Sequence, residues 1–252
     1  MKIKLTIAYD GALYKGWAKQ PAVDTIQGVL EEVISDVVKS PVSLYGSGRT
    51  DTGVHAHAQV AHFEVPDGIN IPLKAWTPAI NSRLPSEIRI MYCEEVDEGF
   101  HARFSAVSKT YCYTIVTTPV LHPHDASRAW HVPRNVDLCR LQEALGGYLG
   151  YHDFRNFSAL RGNETDETSY EREITQAELM IMEGKLCIRY SANGFLYKMV
   201  RILTGVAVNF AQGRISKAEF ETMLNEPSKQ IPFKYCAPAA GLALERVYYG
   251  KD

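Results

Sequence analysis

Two hydrophobic periods alternate along this chain in an order that occurs twice, and that order restricts the fold more than any other feature. Residues 2–10 put Ile3, Leu5 and Ile7 on one face and Lys2, Lys4 and Thr6 on the other, the period of a half-buried strand. Asp10-Gly11 breaks it. Thr25 suits a helix N-cap, and Ile26, Val29, Leu30, Val33, Ile34, Val37 and Val38 then recur at helical spacing. A short strand is predicted over Val42–Tyr45. A second follows over Gln59–Val65, with Ala61, Phe63 and Val65 on one face. Pro72 opens a helix marked by Leu73, Trp76, Ile80 and Leu84, and Ile88 and Ile90 begin a strand that runs to about Val96. Strand, helix, strand, strand, helix, strand is the split-βαβ order of ferredoxin-like domains.

The second part repeats it. Tyr111, Tyr113 and Ile115 alternate in a strand from about Val107, and Asp137 caps a helix carrying Leu138, Leu141, Leu145 and Tyr148. Residues 172–182 and 185–192 read as a hairpin across Glu183-Gly184. Phe195, Met199, Ile202, Leu203, Val206 and Phe210 line a long helix ended by Gly213. Ser216 with Glu219 forms a capping box, and Leu242–Tyr249 closes as a strand. The expectation is an α+β fold of two ferredoxin-like (βαββαβ-type) halves, 1–104 and 105–252. Their antiparallel and mixed sheets join into one large sheet, with helices on one face and an active-site cleft between the halves. The polar stretch Arg161–Tyr170 has no periodicity and reads as a surface loop.

Composition sets outer limits. The 252 residues suffice for one large domain or two small ones, and a hydrophobic share of 46% is that of a globular protein. No apolar run approaches the ~18 residues of a membrane span, and the N-terminus lacks a signal-peptide core, so the expected location is the cytoplasm. Five cysteines without a C-x-x-C pair give neither a disulfide framework nor a zinc site; Cys112 and Cys187 read as sheet residues. The net charge of −2 weighs against a generally basic nucleic-acid binder. A local basic patch is still enough for phosphate.

The stretch GSGRTDTGVHA, Gly46–Ala56, lies between strand patterns. Asp, Thr and Gly are ordinary turn residues. Arg49 two residues from Asp51, among three glycines, suits instead a loop that approaches a ligand with an ionised, aimed carboxylate. Such a carboxylate serves as nucleophile or general base.

Two other segments mix cations with rings. FHARFSAVSKTYCY, Phe100–Tyr113, interleaves His101, Arg103 and Lys109 with Phe100, Phe104 and Tyr111, which suits phosphates and splayed bases as well as it suits an amphipathic strand edge. In NGFLYKMVR, Lys198 and Arg201 are three apart on a predicted helix and share a face. Arg201 among Met199, Val200, Ile202 and Leu203 calls for a carboxylate partner, for which Asp51 is the candidate. The histidines, His55 and His57 included, show no metal-ligand spacing with a third partner.

GRTDTGVHA resembles the catalytic motif G-R-T-D-x-G-V-H of the tRNA pseudouridine synthase A family. The resemblance extends through Tyr9-Asp10-Gly11, Gly16-Trp17, FHARFSA, the K-x-Y-x-Y strand, FLYKMVR and Gly241-Leu242, in order over nearly the whole chain. It implies isomerisation of uridine to pseudouridine in the anticodon stem–loop of tRNA, at positions 38–40, without metal or cofactor, by a homodimer. It makes Asp51 the catalytic aspartate, Tyr111 the ring that stacks on the target uracil, Arg201 the aspartate's partner, Leu242 an apolar wall and Arg49 the residue that helps expel the base. Arg103, Lys109 and Lys198 are the remaining expected tRNA contacts. Ala18 stands where the family commonly has Gln, and 161–174 lacks the family's usual cysteine-containing motif. The rival readings are a non-catalytic RNA-binding protein of the same fold and a metal-dependent phosphohydrolase.

Overall fold

Alternation at the N-terminus becomes β1, Lys2–Tyr9, in which Ile3, Leu5, Ile7 and Tyr9 are buried. The computed structural model describes residues 1–160, 162, 164, 165, 168–227 and 235–250. The chain divides into two units, Met1–Val107 with Ala243–Asp252, and Ser108–Leu242.

In the first unit, α1, Ile26–Val38, starts where Thr25 accepts the Gly28 N–H at 3.2 Å. β2 is Tyr45–Gly46, β3 is His55–Glu64, α2 is Leu73–Asn81 and β4 is Ile88–Val96. β1 lies between β3 and β4, antiparallel to both, and β2 pairs antiparallel with β3 through Tyr45↔His62 and Gly46↔Ala61. This is the split-βαβ arrangement expected. The strand expected over Val42–Tyr45 shrinks to Tyr45–Gly46, because α1 side chains take the amides that would make a ladder. Ser35 Oγ accepts from Val42 N at 2.9 Å, and Glu31 Oε1 accepts from Leu44 N at 3.0 Å. Trp76 and Phe63 meet edge to face in the core, with ring centroids 5.4 Å apart.

The division differs from the expected 104/105 boundary. The last strand, β10 (Leu242–Tyr248), runs parallel to β3 through Ala243↔His55 and Leu244↔Ala56, so from Ala243 onward it belongs to the first unit. β2 and β10 thus flank the same side of β3, β10 at its start and β2 near its end.

The second unit contains β5 (Ser108–Val116), β6 (Trp130–His131), α3 (Leu138–Gly147), β7 (Gly150–Asp153), β8 (Glu171–Met182), β9 (Lys185–Ala192), α4 (Met199–Ala211) and α5 (Lys217–Asn225). β9 is antiparallel to β5 and β8, β7 is antiparallel to β8, and β6 adds to β5 in parallel. The expected caps form. Asp137 accepts from Cys139 N and Arg140 N, and Ser216 and Glu219 close a reciprocal capping box. Glu183 and Gly184 have φ of 50° and 74°, the left-handed pair that a two-residue hairpin needs. Tyr113, Tyr148, Tyr190, Phe154, Phe157 and Phe210 fill the core around α4. The helix expected from Phe195 starts only at Met199, because Lys198 adopts a left-handed backbone with φ 58°. The Arg161–Tyr170 stretch lies partly outside the described residues.

Candidate active site

The Gly46–Ala56 loop is fixed by residues before and after Asp51. Ser47 N–H donates to Val60 O at 2.7 Å. The Ser47 hydroxyl donates to Gln59 Oε1 at 2.7 Å, and Gln59 Nε2 donates to Gly48 O at 3.1 Å. Arg49 then projects to solvent, while Thr50 is buried. The Thr50 and Tyr9 hydroxyls share a buried hydrogen bond of 2.8 Å. Burial pushes the Tyr9 phenol well above its ordinary value, so it stays neutral. The Thr50 carbonyl accepts from Trp17 N at 3.0 Å, and Val54 N donates to the Asp51 carbonyl at 3.1 Å, closing a turn over Gly53, whose φ is 79°.

A second loop, residues 10–17, makes this possible by close approach. A Cβ on Gly11 would stand 1.9 Å from Val54 O, and one on Gly16 2.7 Å from Thr50 O. Trp17, almost fully buried, lies against Gly46, where a Cβ would meet the indole at 2.6 Å. His55 Nδ1 accepts from Gly11 N at 3.2 Å and lies 3.1 Å from Asp10 Oδ1. Both loops are therefore one assembly, and half-buried Asp51 sits on a backbone anchored on each side. The resemblance picks out Tyr9-Asp10-Gly11 and Gly16-Trp17, but periodicity alone shows only a broken strand and a loop. Arg103, in the same unit, is exposed on the 101–104 turn.

The second unit carries the other candidates. Tyr111 on β5 stands opposite Tyr190 of β9, half-buried, with its ring edge to face against Phe195 at 5.2 Å and 86°. Lys109 pairs with Ala192 on the same ladder. Arg201 lies in the first turn of α4, and its Nε donates to Ala237 O at 2.8 Å while its carbonyl accepts from Ala237 N at 3.0 Å. The strap around Ala237 is held in turn by β5, since Tyr113 donates to Pro238 O at 2.7 Å. Burial raises the Tyr113 phenol strongly, and the Arg201 guanidinium opposes that shift. The strap ends at Gly241, where a Cβ would meet the Tyr113 ring at 2.6 Å, and delivers Leu242 as a buried side chain. Arg201 and Leu242 are thus positioned by one strap that sequence reasoning missed. Lys198 does not share a helical face with Arg201. It caps α4 from outside, with its ammonium 5.1 Å above the Tyr197 ring.

The family model described as tRNA pseudouridine synthase matches residues 5–105 and 144–250. The chain belongs to the tRNA pseudouridine synthase A family. It is 44% identical to the tRNA pseudouridine synthase A of Akkermansia muciniphila, over 100% of this chain and 96% of that one. It is 42% identical to tRNA pseudouridine synthase A 2 of Clostridium perfringens, over 98% and 99%, and 38% identical to the Bacillus subtilis protein, over 99% of each. The chain is accordingly a pseudouridine synthase, an isomerase. The anchored loop of this synthase is the one that carries Asp51. A cavity of about 340 Å³ beside α1, lined by Lys19, Glu31, Ser35 and Val42 among others, contains none of the candidate residues.

Proposed function

We propose that this synthase converts uridine to pseudouridine in the anticodon stem–loop of tRNA, with Asp51 as the catalytic carboxylate. The reaction breaks the bond from C1′ of the ribose to N1 of uracil and forms one from C1′ to C5. C5 loses a proton and N1 gains one, so nothing enters or leaves overall. An ionised carboxylate adds to uracil C6 or assists at the sugar, and either route needs Asp51 charged and aimed. Arg201 is its proposed cationic partner, already oriented through Nε by Ala237 O at 2.8 Å. The target base is stacked within the RNA and has to be swung out. Arg49 assists that step, and Tyr111 and Leu242 then offer the base a ring and an apolar wall. Arg103, Lys109 and Lys198 meet the phosphates. The enzyme works as a homodimer in the cytoplasm.

The observation that carries this reading is the double anchoring of the Asp51 backbone, at Thr50 by Tyr9 and Trp17 and at Val54 by the turn to Asp51 O. A merely structural loop has no need for a half-buried carboxylate held between two such points. Asp51→Ala, incubated with tRNA that lacks the modification, is expected to leave uridine unchanged while still binding the tRNA. Pseudouridine formed by that variant at the rate of the parent protein defeats the assignment. Mapping the product of the parent protein identifies the modified nucleotide.

A further inference from the structure

Phe104 is 76% exposed, yet its surroundings hold it in place. His101 Nδ1 accepts from both Arg103 N, at 3.1 Å, and Phe104 N, at 3.3 Å, so the turn is capped from inside. Ser105 closes it on both sides: its N–H donates to His101 O at 2.9 Å, and its hydroxyl accepts from His101 N at 3.0 Å. The Phe104 ring lies 4.4 Å from the His101 ring at 34°, and the Arg103 guanidinium carbon is 5.5 Å from the Phe104 centroid.

The turn is anchored from beneath. Ala102 N donates to His62 Nδ1 at 3.1 Å, and Ala102 O accepts from the Tyr249 hydroxyl at 2.7 Å. The His62 ring touches His101 at 4.8 Å and stacks on Tyr45 at 5.2 Å and 23°. Burial first, then the nearby His101 and Lys2, lowers the His62 pKa to about 4, so this ring is neutral and stacks without a charge to solvate. Tyr45, itself 51% exposed, directly precedes the Asp51 loop.

An apolar ring shown to water on a rigid, cation-bearing turn gains nothing for folding. Here the backbone bonds fix the turn that carries Phe104, and the His101 ring at 4.4 Å and the Arg103 guanidinium at 5.5 Å engage the ring itself. A pre-ordered ring loses little entropy when a flat partner settles on it. Beside a guanidinium, that partner is a base attached to a phosphate. We infer that Phe104, with Arg103, is a stacking platform for an unpaired base of the RNA substrate, a contact additional to the residues that handle the target uridine. The inference rests on the proposed tRNA substrate.

The test uses the full chain and tRNA. Phe104→Ala is expected to raise KM, and Kd measured in an Asp51→Ala background, by about tenfold with kcat unchanged. Phe104→Tyr restores both constants, and Phe104→Leu does not, since it keeps the apolar volume but loses the ring. Unchanged tRNA affinity in Phe104→Ala overturns the inference. So does a Leu variant as good as the parent. A shift in sedimentation with tRNA affinity unchanged overturns it as well, by making Phe104 a contact between copies. Because Kd compares Phe104 variants within one background, pseudouridine formation by Asp51→Ala would sink the catalytic assignment and leave the stacking result standing.

Discussion

Tyr9 and Thr50 show how one buried pair fixes the backbone beside Asp51, the proposed catalytic carboxylate. Tyr9→Phe removes the phenol and strands the Thr50 hydroxyl in a buried site, a loss of about 1–3 kcal/mol. Urea denaturation is expected to show that loss, and pseudouridine formation a lower kcat, because the next residue is Asp51, the proposed catalytic carboxylate. Thr50→Val adds little to Tyr9→Phe, since both remove the same bond. A fully additive double variant would show that the two hydroxyls act separately. His62 makes a second residue-scale prediction. Its folded pKa of about 4 lies below the ordinary 6.5, so the folded state favours the neutral ring. Stability is therefore fully present above pH 6.5 and falls as pH drops through 6.5 toward 4, because the unfolded chain takes up the proton first. Lys2, His101 and the Tyr45 carbonyl act on the ring, and only the carbonyl favours its charged form. His62→Gln is expected to flatten the Tm profile between pH 6.5 and 4 relative to the parent chain. An identical slope in the variant would show that other groups set it. Neither pair was visible in the sequence, where Tyr9 is the end of an alternation and His62 one of several scattered histidines.

Elements were legible where the signal is local. Thr25, Asp137, Ser216 with Glu219, and Glu183-Gly184 each act on a backbone only a few residues away, and each cap or turn forms where periodicity places it. Two failures have a physical cause in partners distant along the chain. Val42–Leu44 looks like a strand, but Ser35 and Glu31 of α1 hold its amides. Phe195–Lys198 continues an apolar period, but Lys198 adopts the left-handed conformation and delays α4. The helix also contains Gly205, which propensity alone would replace with alanine for a gain of about 1 kcal/mol. Structure reverses the sign: a Cβ there would lie 1.5 Å from Tyr235 O, which has to move. Gly205→Ala is expected to displace the strap whose Ala237 O holds Arg201 and so, through the proposed pairing of Arg201 with Asp51, to lower kcat about tenfold, with a lower urea midpoint. A variant with parent kcat and a raised midpoint would show that the strap yields freely and does not position Arg201.

At the scale of the molecule, local periodicity finds two similar runs of elements and places one boundary between them. It has no means of assigning the last strand, whose partner is almost two hundred positions away in the chain. The first unit is built from two separate stretches: β10 pairs with β3 at His55 and Ala56, immediately after the Asp51 loop, and Tyr249 holds Ala102 by its hydroxyl. Residues 1–107 expressed alone lack all of this. The start of β3 loses its parallel neighbour, Phe100 loses the Tyr249 ring at 5.1 Å, and Lys4 loses the same ring at 4.7 Å. The fragment is expected to aggregate or to unfold without a cooperative transition. Joining 243–252 to Val107 should restore cooperativity. Val107 N donates to Tyr248 O, so the linker has to run back along β10, about 20 Å at ~3.3 Å per residue, and roughly eight Gly/Ser residues are enough. Cooperative unfolding of residues 1–107 alone, at the midpoint of the rejoined chain, would mean that the closing strand contributes nothing to the unit carrying Asp51. The failed fragment together with the rescued one would show that the unit carrying Asp51 depends on both stretches, 1–107 and 243–252.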